Sequence, residues 1–353
     1  MSKFLSENLI NMKPYKPGEQ PRSNEQWIKL NTNESPFPPS ANVEKLIRSY
    51  DAEKLRLYPD PSCDSLITKL SEEFDVDKCQ VMLGNGSDEI LAFSFMGLCN
   101  NGVAFSDLSY GFYPVFSDVF NKKAKIVELN QSFEIDINDY EGLKQTIVIA
   151  NPNAPTGLEL SQKDIVKLLE NDKERLVIID EAYVDFGAES SVKLVKKYDN
   201  LLVIGTFSKS RNLAGARIGY AIANEEIISD LNAIKFSFNP YNLNRLSIDI
   251  GTTAMNDKEY FESCIKQIKL NREYLTKKLK DFGFEVLESK ANFIFVKNSN
   301  IIGKEYYKRL KEKGILVRYF DLPRTKEYVR ITIGNIKECD ALLKMTKEVL
   351  SEV

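Results

Sequence analysis

The stretch from Thr146 to Asp180 reads TIVIA to Ala150, NPNAPTG to Gly157, SQKDIVKLLE from Ser161 to Glu170, and LVIID from Leu176 to Asp180. The two outer runs are β-branched and continuously apolar, the pattern of a strand buried on both faces. The middle segment spaces its apolar residues three and four apart, as one face of a helix does. Strand, helix and strand in that order predict a parallel crossover. Similar short runs occur at Val81 to Gly84, Val103 to Ser106, Lys125 to Leu129, Leu201 to Thr206 and Ile218 to Ile222, with a helical segment at Ser87 to Leu98. This alternation predicts an α/β domain whose mostly parallel sheet is flanked by helices.

Beyond about Asn239 the texture changes. A long charged helix pattern runs from Lys258 to Phe282, and short strands are expected at Phe284 to Leu287, Asn292 to Val296, Ile315 to Tyr319 and Val329 to Ile333. These read as a smaller α+β domain. The Pro-rich opening from Pro14 to Pro39 is too irregular for a packed unit and reads as an arm lying on something else. The expected organisation is an arm over 1–40, packing with the small domain or a partner subunit, a large domain over 41–238 and a small domain over 239–353.

Composition narrows the chemistry. The 353 residues are 43% hydrophobic and 28% charged, with 48 Lys and Arg against 51 Asp and Glu, so the basic excess typical of nucleic-acid binding is missing. Cys63, Cys79, Cys99, Cys264 and Cys339 are scattered and form no CxxC pair, which suggests neither a zinc site nor a disulfide framework. The opening MSKFLSENLI lacks the apolar core of a secretory signal, and no apolar run approaches the roughly 20 residues of a membrane helix. A reducing cytoplasm is the expected compartment. The chain contains no histidine, which excludes Ser-His-Asp and Cys-His mechanisms and His-based metal sites. Proton transfer near neutral pH then falls to another residue or a cofactor, and a lysine is the natural candidate.

In open parallel sheets ligands sit at the carboxyl ends of the strands. The residues there are Gly84-Asn85-Gly86-Ser87-Asp88-Glu89, Asn151 to Gly157, Asp180-Glu181-Ala182-Tyr183 and Ser208-Lys209. GNGSDE leads from a strand into a helix, and small residues there let an anion approach free backbone N–H groups; taken alone it more often reads as a plain turn with Ser87 or Asp88 as cap. Asp180 ends a buried run, where an unpaired carboxylate is costly, so a cationic partner such as a pyridinium nitrogen is implied. Taken alone it also reads as a strand-end helix cap. Lys209 lies in GTFSKSR just past a strand; a lone lysine is usually solvated, but an amine in a partly desolvated pocket forms Schiff bases and then shuttles protons. Arg217, immediately before another strand, has the fork geometry that matches phosphate, and Ser208 stands ready to donate to the same group.

TFSKSRNLAGARIGY, DEAYVDF, NPNAPTG, LNTNESPFPPS and YPDP together resemble the motif series of the fold-type I pyridoxal-phosphate-dependent aminotransferases, and within them the histidinol-phosphate aminotransferases. The resemblance runs from the arm to the last strand. It implies pyridoxal 5′-phosphate as cofactor, with Lys209 carrying it as a Schiff base, Asp180 on the pyridine nitrogen, Tyr183 on the 3′ oxygen and Tyr110 stacked on the ring. Ser87, Asp88, Ser208 and Arg217 would form the phosphate cup. Tyr58 would reach the phosphate of the neighbouring subunit, which implies a homodimer. The family commonly has asparagine where this chain has Ala154, so either Tyr183 acts with less help or Asn153 or a water substitutes. The resemblance further implies Tyr15, Asn33, Arg318 and Arg330 as substrate-binding residues, and we add Arg324 to the same anion site. The implied reaction moves an amino group between histidinol phosphate and 2-oxoglutarate, yielding imidazole-acetol phosphate and glutamate in histidine biosynthesis. An aromatic amino-acid aminotransferase or a threonine-phosphate decarboxylase of the same fold are the alternatives.

Overall fold

The computed structural model describes residues 2–6, 9–10, 12–21 and 27–352; residues 1, 7, 8, 11 and 22–26 of the arm and residue 353 lie outside the described residues. The arm leads into β1 (Ile28–Lys29) and is followed by α1 (Ala41–Arg48) and α2 (Asp64–Phe74). The large sheet then begins with β2 (Val81–Asn85), α3 (Ser87–Gly97), β3 (Val103–Ser106), α4 (Phe112–Val119) and β4 (Ala124–Val127). It continues through β5 (Thr146–Ala150), α5 (Gln162–Asn171), β6 (Val177–Asp180), β7 (Leu201–Thr206) and β8 (Ile218–Ala223). The spatial order is β2-β8-β7-β6-β5-β3-β4, parallel throughout except for β8, which runs against both its neighbours.

Residue alternation explains why the sheet is buried on both faces. Val177 and Ile179 of β6, with Leu201 and Val203 of β7, enter one core, whereas Ile178, Leu202 and Ile204 enter the core on the opposite face. Each such side chain contributes roughly 1.5–3 kcal/mol on burial, so a register slip would forfeit several at once. The expected helix from Ser161 is present with Ser161 as its cap: the hydroxyl accepts the Asp164 N–H at 3.2 Å.

After β8 come α6 (Glu225–Phe238), α7 (Arg245–Asn256) and the long α8 (Lys258–Asp281). Ile248, Ile250, Ala254 and Met255 of α7 pack into the large-sheet core with Val43 and Leu66, so the change of core falls between α7 and α8, beyond Asn239. The second core gathers β9 (Phe284–Val286), β10 (Phe293–Asn298), α9 (Gly303–Glu312), β11 (Ile315–Leu316), β12 (Arg318–Tyr319), β13 (Tyr328–Thr332) and α10 (Ile336–Ser351). Its antiparallel sheet has the order β12-β13-β10-β9. The single strand expected from Ile315 to Tyr319 is split at Val317, because β11 pairs in parallel with β1 of the arm while β12 pairs with β13. The arm is thereby tied into the small domain, with Leu30 buried in its core. Among the described residues no helix is long and apolar enough to cross a membrane.

Candidate active site

The carboxyl ends of β5, β6 and β7 open into a cavity of about 350 Å³, and Ala150, Asp180 and Thr206 stand at its wall. Ser87, Asp88, Tyr110, Tyr183, Ser208, Lys209 and Arg217 line it as well, so most of the expected cofactor-binding residues meet in one place. A second cavity of about 650 Å³ opens between the arm, β3 and the small sheet, and shares Thr32, Tyr110, Ala154, Tyr183 and Lys209 with the first. Tyr15, Asn33, Arg318 and Arg330 line this outer part.

At one end of the inner cavity lies the start of α3. Gly86 has φ 79°, and a Cβ there would meet the Arg217 guanidinium at 2.5 Å, while a Cβ on Gly219 would meet the Ser87 nitrogen at 2.4 Å. Only glycines let the loop, the arginine and β8 come so close. The first-turn amides of α3, the Arg217 fork and the Ser208 hydroxyl gather donors of the kind that suit an anion at this end. Arg217 lies 3.3 Å from Asp88, whose other oxygen accepts the Tyr110 hydroxyl at 2.7 Å. Asp88 thus braces both the arginine and the aromatic ring. Ser208 is held by Thr206, whose Oγ1 accepts the Ser208 N–H at 3.1 Å.

At the opposite end Asp180 is buried, and its two oxygens accept the Tyr113 hydroxyl at 2.9 Å and the Ala182 N–H at 3.2 Å. Burial pushes its carboxyl up to about 6, against the pull of those two hydrogen bonds. Neither partner is a cation, and the Lys209 amine instead donates to the Thr32 carbonyl at 3.3 Å. A buried carboxylate without a cationic partner is a costly arrangement that a protonated ring nitrogen would relieve. Acid at one end, anion cup at the other and an amine at the side fit pyridoxal 5′-phosphate in chemistry and in sense.

In the outer cavity Arg318 and Arg330 are cross-strand partners on β12 and β13. Arg318 donates to the Lys16 carbonyl at 3.1 Å, and Arg330 donates to the Asn31 carbonyl at 3.0 Å while its buried Nε has no hydrogen-bond partner among the described residues. Burial lowers the Arg330 pKa from its ordinary value, and neighbouring Arg318 adds to the effect. Two cations facing one space with spare donors call for an anion. Tyr15 stacks on Phe112 at 4.2 Å beside them; burial raises its phenol pKa, while Arg318 and Arg330 pull it back.

Two expectations need correction, those for Asn153 and Arg324. Asn153 lines neither cavity: its amide donates to the Leu108 carbonyl at 3.1 Å and Thr156 Oγ1 at 3.0 Å, which fixes the proline-rich turn. It does not stand in for the missing asparagine. Arg324 is likewise outside the lining, because it donates to Asp107 and to the Asn130 carbonyl, both at 2.6 Å, and spans the two domains. Tyr58 is 75% exposed and stacks on Tyr241 at 4.5 Å, away from both cavities of its own chain. Sequence reasoning missed Tyr113, Thr206, Thr32 and Glu34. Tyr113 had one usable signal, its place in the aromatic run Tyr110, Phe112 and Tyr113 just past β3.

A profile of the family described as "Aminotransferase class I and II" matches residues 25–345. A histidinol-phosphate aminotransferase of Brachyspira hyodysenteriae is 48% identical over 353 residues, 99% of this chain and 99% of that protein. One from Clostridium botulinum (strain 657) is 45% identical over 355 residues, 100% of each. The solved histidinol-phosphate aminotransferase of Clostridium acetobutylicum superposes with a TM-score of 0.84 at 25% identity, covering 92% of this chain and 99% of that one.

Proposed function

The chain belongs to the aminotransferase class I and II family, and on that premise we propose that it is a histidinol-phosphate transaminase working with pyridoxal 5′-phosphate. It moves the amino group between histidinol phosphate and 2-oxoglutarate, as a step of histidine biosynthesis in the cytoplasm. The observation that carries the reading is the buried Asp180, whose hydrogen-bond partners among the described residues are Tyr113 and Ala182 and not a cation, in one cavity with Lys209 and the Arg217 and Ser208 cup. The names of the relatives that match end to end supply the substrate.

When bound, the cofactor supplies a carbonyl that takes up amino groups and a ring that accepts electrons. Asp180, buried and bonded to Tyr113 and Ala182, would hold the ring nitrogen protonated. Tyr110 would cover the ring, and Ser87, Asp88, Ser208 and Arg217 would hold the phosphate at the far end from Asp180, all of them lining the same cavity as Lys209. With the cofactor bound, the Lys209 Nζ, which lines the cavity, would be the base that takes the proton from the amine-bearing carbon of the substrate and the acid that delivers it to the carbon receiving the amino group. Arg318 and Arg330 hold the substrate phosphate, and Arg330 grips the carboxylate of glutamate in the other half of the cycle. The arm closes this space with Tyr15 and Asn33, excluding water.

Tyr58 completes the neighbouring subunit's phosphate cup in a homodimer. Supporting this, Leu55, Leu57, Tyr58, Phe238 and Tyr241 are all exposed large apolar side chains, and Arg245 holds the Tyr58 backbone carbonyl at 2.6 Å. The test mixes the coloured protein separately with histidinol phosphate, phenylalanine and phosphothreonine and follows the loss of visible absorbance. Histidinol phosphate is expected to react fastest; if it is the poorest of the three, the reading is wrong.

A further inference from the structure

The Tyr183 hydroxyl receives a hydrogen bond from the side-chain amide of Asn33 at 3.0 Å. The direction of that bond is fixed from behind. The Asn33 backbone N–H donates to Thr332 Oγ1 at 3.0 Å, and the Thr332 hydroxyl donates to Asn33 Oδ1, also at 3.0 Å. A threonine hydroxyl has one hydrogen, so this exchange sets the amide oxygen toward Thr332 and the amide nitrogen toward Tyr183. Asn33 has φ 58°, a left-handed conformation that asparagine tolerates better than most residues. Its carbonyl accepts from the Asn292 amide at 3.0 Å, and Asn33, Asn292 and Thr332 are all buried.

An amide nitrogen only donates, so the Tyr183 oxygen accepts and its own hydrogen must point elsewhere. Among the hydrogen bonds of the described residues none takes that hydrogen, and Tyr183 lines both cavities. We propose that Asn33 is a positioning residue that aims the Tyr183 hydroxyl hydrogen into the cavity at the cofactor's 3′ oxygen, which makes up for the donor that Ala154 lacks. The inference rests on the cavity's reading as a pyridoxal-phosphate site. Ala154 packs with Ala291, Phe293 and Tyr183, so its methyl brings no polar atom to that wall. Thr332 is in β13, Asn33 in the arm and Tyr183 beyond β6, so the small domain sets a proton direction in the large one.

Asn33→Asp is the sharp perturbation. It keeps the size and the backbone tolerance but replaces the donor with an acceptor, which takes the Tyr183 hydrogen for itself. The readout is the pH midpoint of the bound cofactor's absorbance change, without substrate. A donor draws charge from the 3′ oxygen and weakens its hold on the adjacent proton, so losing the donor raises the midpoint, by about one pH unit. The new negative charge would also raise it through space. The measurement is therefore repeated in a Tyr183→Phe background, where only that direct effect persists. The groups facing Tyr183 are Lys209, at 5.8 Å from its ring, with Arg330, Tyr15, Tyr110 and Tyr113, and they are the same in every variant. Thr332→Val removes the hydroxyl that orients the amide without adding charge, and should shift the midpoint in the same direction. Both shifts should shrink several-fold when Tyr183 is Phe. Equal shifts in the two backgrounds, or no shift in the native one, overturn the inference. Failure of the unaltered protein to take up the coloured cofactor would instead refute the reading of the site.

Discussion

Removing the Tyr113 hydroxyl tests how the buried acid is kept ready. Tyr113 is fully buried and donates to Asp180 at 2.9 Å. Hydrogen bonds to a charged group are worth about 1.5–3 kcal/mol, and one pH unit of pKa corresponds to about 1.4 kcal/mol. Asp180, already pushed up to about 6, should therefore rise by one to two units in Tyr113→Phe. Near pH 7 the unaltered cofactor-free protein keeps most of this carboxylate ionised, whereas the variant has it largely protonated. Only the ionised form pairs with a protonated ring nitrogen, so cofactor affinity near neutral pH should fall by roughly two- to tenfold. The deficit should widen below pH 6 and close toward pH 9, where both proteins are ionised. Titrating cofactor-free protein with pyridoxal phosphate across this range, by quenching of intrinsic fluorescence, measures the affinity ratio directly. A ratio that stays constant with pH would refute the reasoning, since a merely structural loss would not track the titration of Asp180.

Arg330→Ala should lower kcat/KM for histidinol phosphate by about a hundredfold or more, and Arg330→Lys should restore only part, because the fork and not the charge alone makes the contact; steady-state kinetics on both variants checks this. Arg324→Ala should leave KM for both substrates nearly unchanged while lowering stability by about 1–3 kcal/mol, because its partner Asp107 loses a charge-assisted bond; denaturant melts and kinetics separate the two outcomes. Burial pushes the Glu181 carboxyl up to about 7 from an ordinary 4.5, so the folded state binds this proton more tightly than the unfolded chain. That contribution is full below pH 4.5 and is lost as pH rises through 7, so Glu181→Gln should gain stability relative to the unaltered protein at pH 8 compared with pH 5, as read from denaturant midpoints.

The parallel sheet was legible because runs such as Val177 to Ile179 are apolar without alternation, which only burial on both faces explains. Lys209, Asp180 and Arg217 were legible because each stands beside such a strand, so strand and site were found together. The rest depended on partners distant in sequence. Nothing local splits Ile315 to Tyr319; the split follows from β1 arriving beside half of it. Periodicity shows that α7 has an apolar face but not which core receives it. Arg324 reads as a free cation until Asp107, far away in the chain, is brought to it by the fold. Tyr113 lies in an aromatic cluster with Tyr110 and Phe116, and only its depth and its bond to Asp180 set it apart.

The pairing of β1 with β11 also has a cost in time. Ile28 lies opposite Ile315, nearly the whole chain later, and Leu30 waits for the same small-domain core. On the ribosome the large sheet emerges complete while the arm, made first, still lacks its partner strand. Contacts so far apart in sequence form late and leave apolar segments uncovered meanwhile. The charged residues and prolines around β1, among them Pro14, Pro17, Lys29 and Glu34, suit a segment that must stay unpaired until synthesis is almost over. A chain stopped just before Ile315 would lack β11, and Ile28 and Lys29 would then have no partner strand to pair with.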